Sequence, residues 1–339
     1  MDVGVIGASG YGGTELLRLL AQHPTLWVRV VGAESNAGNE VGSLTPSLSS
    51  SYPNVTFTES TPEAFGGLDV CFLALPHGAS QHLVPSLLGN VGLVVDLAAD
   101  FRFQTPEVYD TWYGEAHAHP ELLSRFVYGL PELDRSQLAG ATAIAVPGCY
   151  PTAATIALHP FVESGFVKQD GIIVDAASGL SGAGRRPSDR LHFAHAHDDL
   201  TAYGWLDHRH TPEIERNLLG AEVLFTPPLA PISRGMLATC YAKPNSATST
   251  TADAMALLHE AYSDEPFVVV TNDLPSTKAT LGSNSVHVTA RVDPRTGWLI
   301  AISALDNLGK GAAGAAIQAA NAAVGLPETL GLPMAGLYP

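Results

Sequence analysis

The sequence is short of positive charge. Seventeen lysines and arginines stand against 33 aspartates and glutamates in 339 residues, a formal net charge of −16. A chain so acidic repels phosphate backbones and anionic lipid, so neither nucleic acid nor membrane is expected as a partner. Cysteine is scarce too. Cys71, Cys149 and Cys240 are odd in number and widely spaced, which argues against a disulfide framework and against a zinc module, so no metal is expected. No apolar run reaches the roughly 18 residues that a membrane span needs. No basic segment precedes the first apolar run as it would in a secretory leader, so the expected compartment is the cytoplasm. Internal repeats and low-complexity tracts are missing as well.

What remains is a globular composition, 46% apolar, in a chain long enough for two domains. One stretch organises it. The apolar run Ile144-Ala145-Val146 reads as a buried strand and stops at Pro147-Gly148. Cys149 follows, and an Ala-rich segment from Thr152 to Leu158 reads as a helix, with Pro151 suited to its first turn. A cysteine at a helix N-terminus is favoured as the thiolate, which is the nucleophilic form. The competing reading is a buried structural thiol.

Upstream, the pattern is that of a nucleotide-binding fold. Asp2 to Ile6 is a short strand, Gly7-Ala8-Ser9-Gly10-Tyr11-Gly12-Gly13 a glycine turn, and Thr14 to Ala21 a helix with apolar residues in helical spacing. Strand, glycine turn and helix together form the context of a dinucleotide fingerprint, in which glycines let the backbone approach a pyrophosphate at a helix tip. Gly7, Ser9, Gly10, Tyr11 and Gly12 are therefore the candidate cofactor contacts. A second strand, Val28 to Ala33, ends at Glu34-Ser35-Asn36, where such folds read the adenosine ribose. Glu34 suits a 2′-hydroxyl and so NAD; Ser35 and Asn36 can bond the 2′-phosphate of NADP. Residues 37–62 read as loop with a short strand at Val55-Thr56-Phe57. Asp69 to Leu75 and Leu93 to Leu97 are apolar runs typical of parallel strands covered on both faces. His77 lies past the end of the first and is a cofactor-side candidate or a helix cap. Arg102 lies past the second and is the candidate phosphate ligand, with a surface pair to Asp100 as the alternative.

The segment from residue 144 to 160, I-A-V-P-G-C-Y-P-T-A-A-T-I-A-L-H-P, resembles the active-site signature of N-acetyl-gamma-glutamyl-phosphate reductases, which are related to aspartate-semialdehyde dehydrogenase. Further similar motifs run from residue 7 to residue 311: A-D-F-R at 99–102, S-G-L-S-G-A-G-R at 178–185, and H-R-H-T-P-E-I-E at 208–215. The resemblance implies an arginine-biosynthesis oxidoreductase that uses NADP and acts on a small-molecule acyl phosphate. It implies Cys149 as nucleophile, His210 as general acid/base, His208 as a substrate contact or helper, and Arg185 as a substrate contact beside Arg102. It places Ser181, Gly182 and Asn307 toward the nicotinamide end of the cofactor.

Two relatives with the same chemistry, aspartate-semialdehyde dehydrogenase and the carrier-protein-linked reductase of lysine biosynthesis, are alternatives. Their cysteine stretches usually carry Asn after the Cys, where this chain has Tyr150. A non-enzymatic nucleotide-binding regulator is the alternative from another class.

Downstream, Thr211-Pro212-Glu213 reads as a helix start that orients the preceding histidines and depresses their pKa through the helix dipole. His192, His195 and His197 have a spacing that zinc could use, a reading disfavoured because reductive acyl chemistry needs no metal. Strands are expected at Ile172 to Ala176 and Leu237 to Ala242. A hairpin of Val286 to Val292 and Leu299 to Ala304 follows the helix Thr251 to Tyr262. An Ala-rich helix opens at Asp306 and runs through Ala323. The expected fold is an α/β Rossmann-type nucleotide-binding domain, residues 1–148 plus 309–339. It is joined to an α+β catalytic domain with a mixed or antiparallel sheet, residues 149–308, in a homodimer or homotetramer.

Overall fold

A computed structural model describes residues 1–338. It divides into two compact units, Met1–Pro147 with Ala312–Leu332, and Gly148–Gly311 with the segment from Pro333 onward.

The first unit is built on six strands: β1 (Asp2–Ile6), β2 (Trp27–Gly32), β3 (Val70–Leu73), β4 (Leu93–Asp96), β5 (Val127–Tyr128) and β6 (Ala143–Ala145). They lie in the order β2-β1-β3-β4-β6-β5, with every pair parallel. β3 and β4 are buried at every residue, which is why they read as unbroken apolar runs. The helix Tyr11–Leu20 follows β1. The helix Gly314–Ala323 packs against it and against Pro131–Leu138. The chain reverses direction across the sheet between β1 and β3, the switch point where nucleotides bind in open α/β sheets.

The strand expected at Val55 to Phe57 does not form. Asn54 turns the chain with φ 59°, and only isolated pairings remain, Thr56 with Glu40 and Thr58 with Gly32.

The second unit carries eight strands: β7 (Ile172–Gly179), β8 (Thr201–Ala202), β9 (Val223–Thr226), β10 (Pro228–Ala230), β11 (Met236–Ala242), β12 (Val268–Val270), β13 (Val286–Val292) and β14 (Leu299–Leu305). Their order is β12-β13-β14-β11-β7-β10-β8, and β9 also pairs with β7. The sheet is mixed: β13, β14, β11 and β7 are antiparallel, and β12, β9 and β10 join parallel. Burial alternates along β11 and β7, so one face is core. The other bears half-buried Ile173, Leu237, Tyr241, Ile300 and Ile302.

The helix Cys149–Glu163 crosses the core face over β11, β14 and β13. Twelve of its residues are buried, most of them small, which lets it lie close to the sheet. Pro160 within it has no N–H for the carbonyl of Ile156, four residues back. The Tyr262 hydroxyl, from the helix Thr251–Tyr262, donates to that carbonyl at 2.8 Å instead. That second helix is closed by a capping box between Thr250 and Asp253.

The C-terminal boundary differs from the expected one. The last residues add to the second unit because its backbone takes them up: Asn284 N–H donates to Pro333 O at 2.8 Å and Leu337 N–H to Leu281 O at 2.7 Å. The Ala-rich segment begins as a π-helical turn, Gly309–Ala313, before the helix proper.

Candidate active site

In the first unit the glycine turn fits a bound dinucleotide. Gly7 has φ 77°, and a Cβ on it would stand 2.3 Å from Ala74 O, so the loops after β1 and β3 approach more closely than any other residue allows. Gly13 packs just as tightly against the Gly7 carbonyl, at 2.3 Å, and serves close helix–strand packing. Gly10 and Gly12 face open space apart from contacts at 3.4 and 3.9 Å. Ser9 lies in the same turn, and Tyr11, at its end, is exposed.

Past β2, Glu34 turns back and accepts the Ser60 N–H at 3.1 Å. Ser35 is exposed and accepts a bond from the Asn36 amide at 3.2 Å.

His77 and the loop that bears it are held by two buried carboxylates. Ser80 Oγ lies 2.8 Å from both Asp96 Oδ2 and Asp100 Oδ2. A hydroxyl has one proton, so the second bond needs a proton from a carboxyl group. Burial, and then the Asp100 charge, push the Asp96 pKa up to about 7. Asp100 in turn accepts the Gly78 N–H at 2.8 Å and the Gln81 N–H at 3.3 Å. His77 Nδ1 lies 3.4 Å from Asp100 Oδ1, and its ring is 4.7 Å from Tyr113; it does not cap the following helix.

Arg102 is not the surface partner of Asp100. It is buried, and its Nε and Nη2 donate to Val146 O at 2.9 Å and Leu97 O at 3.1 Å. It therefore braces the chain just before Pro147.

In the second unit Cys149 is the first residue of its helix, with Gly148 as N-cap. Thr152 N–H returns to Gly148 O at 3.0 Å and Pro151 has no N–H. Cys149 is half-buried, whereas Cys71 and Cys240 are buried. Burial pushes the Cys71 pKa up to about 12 and raises that of Cys240 further. Gly311 abuts the nucleophile candidate: a Cβ on it would come within 2.8 Å of Cys149 Cβ.

Beside the cysteine the histidines are fixed by an aromatic cluster. His208 Nδ1 accepts the His210 N–H at 3.1 Å, so the neutral ring holds its proton on Nε2, 3.4 Å from Tyr203 Oη. Tyr203 donates to Tyr150 Oη at 3.3 Å, and Tyr150 to Pro228 O at 3.5 Å. The rings of His208 and His210 are 4.9 Å apart, and those of Tyr150 and His210 5.8 Å. Burial, aided by the Arg209 charge, brings the His208 pKa down to about 4. The depression was expected from the helix dipole; desolvation is its larger cause.

Relatives match the chain over nearly its full length. The chain is 46% identical to the N-acetyl-gamma-glutamyl-phosphate reductase of Symbiobacterium thermophilum and 47% identical to that of Acidothermus cellulolyticus, over 99% of each chain in both pairs. The chain belongs to the N-acetyl-gamma-glutamyl-phosphate reductase family. Its halves match the semialdehyde dehydrogenase NAD binding domain over residues 2–141 and the semialdehyde dehydrogenase dimerisation domain over residues 149–307. The fold is shared with aspartate semialdehyde dehydrogenase II of Vibrio cholerae, at a TM-score of 0.70 and 15% identity, and with the Candida albicans aspartate semialdehyde dehydrogenase with NADP, at 0.70 and 17%. Each alignment covers 95% of this chain and 97% of the other.

Two further positions belong to the reductase motifs. Asn307, expected at the nicotinamide carboxamide, accepts the Gly235 N–H on Oδ1 at 2.7 Å and donates from Nδ2 to Ser181 Oγ at 2.9 Å. It thus pins the Ser181-Gly182 loop. Arg185 lies at the exposed end of that loop. The histidines at 192, 195 and 197 are exposed, and among the described residues no group of three His, Cys, Asp or Glu is arranged to hold a metal ion. Tyr203, Glu213 and Gly311 complete the cysteine site without having been named as site residues from sequence, and Tyr150 was noted there only as the residue after the cysteine. Glu213 lay within the H-R-H-T-P-E-I-E match and could have been flagged there.

Proposed function

We propose that this chain reduces N-acetyl-L-glutamyl 5-phosphate to N-acetyl-L-glutamate 5-semialdehyde and phosphate in arginine biosynthesis, with NADPH as reductant. The observation that carries the reading is a half-buried cysteine at the tip of a long buried helix, beside a fixed histidine pair, in a chain matched end to end by reductases of that name.

Cys149 Sγ attacks the γ-carbonyl carbon, the carbon–oxygen bond to phosphate breaks, and a thioester remains. Backbone N–H groups at the helix tip face the oxyanion. NADPH, when bound at the Gly7–Gly12 turn, supplies the hydride that reduces the acyl carbon. His210 lends a proton to the hemithioacetal oxygen and takes it back as the carbon–sulfur bond breaks, which releases the aldehyde and the thiolate. His208, neutral and bonded at both nitrogens, suits the holding of His210 better than proton donation. Arg102, held through Nε and Nη2 on Val146 O and Leu97 O, is the candidate for the phosphoryl group, with Arg185 as a further substrate contact.

The exposed Ser35 hydroxyl and Asn36 favour the 2′-phosphate of NADP, since Glu34 is drawn away to Ser60. Three free thiols suit a reducing cytoplasm. The dimerisation domain fits a homodimer or homotetramer that uses the half-buried face of the second sheet.

The test is phosphate-dependent reduction of NADP with N-acetylglutamate semialdehyde, wild type beside Cys149→Ala, with aspartate semialdehyde and NAD as comparators. Turnover that vanishes in the variant supports the thioester route. Turnover that survives removes Cys149 as nucleophile, and faster turnover of aspartate semialdehyde moves the substrate to the shorter acid.

A further inference from the structure

We infer that Arg234 is the positioning residue that holds the Ser181-Gly182 loop, and with it the nicotinamide, at its distance from the Cys149 thioester. The inference rests on the roles proposed above for Cys149 and for the cofactor.

The loop leans on the turn that joins β10 to β11. Gly179 N–H donates to Gly235 O at 2.8 Å, Leu180 N–H to Ile232 O at 2.9 Å, and Ser181 N–H to Ser233 O at 3.2 Å. A Cβ on Gly179 would stand 3.0 Å from Arg234 Cα and from Ile232 O, so the two backbones touch. The turn itself runs over the surface at Pro231, Ile232 and Ser233. A surface turn keeps its place only as firmly as its anchors do.

Arg234 anchors it. Its Nε lies 3.0 Å from Asp306 Oδ2 and its Nη2 3.0 Å from Oδ1, a planar fork that fixes direction as well as distance. Asp306 is fully buried and also accepts the Gly282 N–H at 2.6 Å, the Leu308 N–H at 2.9 Å and the Gly309 N–H at 3.1 Å. The carboxylate is thus fixed before the guanidinium arrives. A buried pair of this kind contributes little net stability once desolvation is counted. Its use here is geometric.

Asp306 is tied to the nucleophile as well. Its carbonyl accepts the Gly311 N–H at 2.9 Å, and Gly311 is the residue that abuts Cys149. Contacts therefore run from Cys149 through Gly311, Asp306 and Arg234 to the turn on which Gly179, Leu180 and Ser181 rest. Asn307 adds a tie between neutral groups beside it, whereas the Arg234 bonds are charge-assisted and about twice as strong. Reacting atoms must come within about 3–3.5 Å, so a small outward drift of the loop is felt in hydride transfer.

The experiment compares Arg234→Met and Arg234→Lys with wild type in three readings. The first is single-turnover hydride transfer from the semialdehyde to NADP. The second is alkylation of Cys149 by a haloacetamide, and the third is amide exchange at Gly179, Leu180 and Ser181 without cofactor. Methionine removes the fork but leaves Asp306 its three backbone donors, so the chain should fold. Lysine keeps the charge without the fork. In Arg234→Met hydride transfer should be about 100-fold slower, the scale of a misplacement of about 1 Å, while Cys149 is alkylated at the wild-type rate. The three amides should exchange faster in the same variant. Arg234→Lys should lie between it and wild type in both.

The inference is overturned if Arg234→Met transfers hydride as fast as wild type, or if its three amides exchange no faster. Alkylation that slows in step with hydride transfer overturns it too, because the defect then lies at the cysteine and not in the loop. If Arg234→Met does not fold, Arg234→Lys decides, and its equality with wild type in hydride transfer and exchange overturns the inference. If wild type transfers no hydride, the functional reading above fails, and the amide exchange alone decides whether the tie exists.

Discussion

His208 carries the largest functional consequence of burial in the site. Its pKa is about 4 in the folded chain and about 6.5 when exposed, so the unfolded chain binds more protons between those values. Its contribution to stability is intact above pH 6.5 and is lost as pH falls toward 4, by about 3 kcal/mol at most. Denaturant titrations from pH 4 to 7 should show that slope in wild type and lose it in His208→Gln. A slope unchanged by the substitution would place the titration elsewhere. Gly311 makes a purely steric demand. Gly311→Ala should leave the chain folded, yet lower kcat at least about tenfold, because Cys149 must move to admit the methyl group; paired kcat and melting-temperature measurements test this. The histidines are legible from local sequence because they precede a recognisable helix start, and Cys149 because it stands between an apolar strand and an Ala-rich helical segment. The bond from the Gly148 N–H to Glu213 is not, since the two lie 65 residues apart, and the approach of Gly311 to Cys149 has no local signature at all.

Among the secondary-structure elements, legibility followed burial. β3 and β4, covered on both faces, spell their limits in apolar residues. The segment at Val55 has a strand-like alternation but no neighbour long enough to pair with, and it stays irregular. The cysteine helix was readable in its middle, whereas its true start at Cys149 was obscured by Pro147-Gly148 and Pro151. Its interior Pro160 is tolerated because Tyr262 satisfies the stranded carbonyl of Ile156. Tyr262→Phe removes that donor from a buried site and should cost about 1–3 kcal/mol, read as a lower midpoint in urea at an unchanged m-value. A midpoint that does not move would mean that water or a shifted backbone replaces the hydroxyl.

At the scale of the whole molecule, the two units present opposite sheet chemistries. The parallel sheet has its central strands covered on both faces, whereas the mixed sheet leaves Ile173, Leu237, Tyr241, Ile300 and Ile302 half-buried on one face. A patch of that composition is expected to be an association surface. Sedimentation should give a dimer or larger for wild type, and Leu237→Glu with Ile300→Glu should shift it toward monomer. A wild-type monomer at micromolar concentration would rule the surface out. The net charge of −16 is read from composition, and among the described residues no helix is long and apolar enough to cross a membrane. The assignment of the final segment to the second unit was not legible, because it depends on backbone bonds to residues 281–284. The contrast among the three thiols has a practical consequence. Two are sealed in strands and held protonated, while the third stands at a helix tip. A chromogenic disulfide or a fluorescent haloacetamide added to the unaltered chain should therefore count competent sites one per polypeptide, without a cysteine-free background.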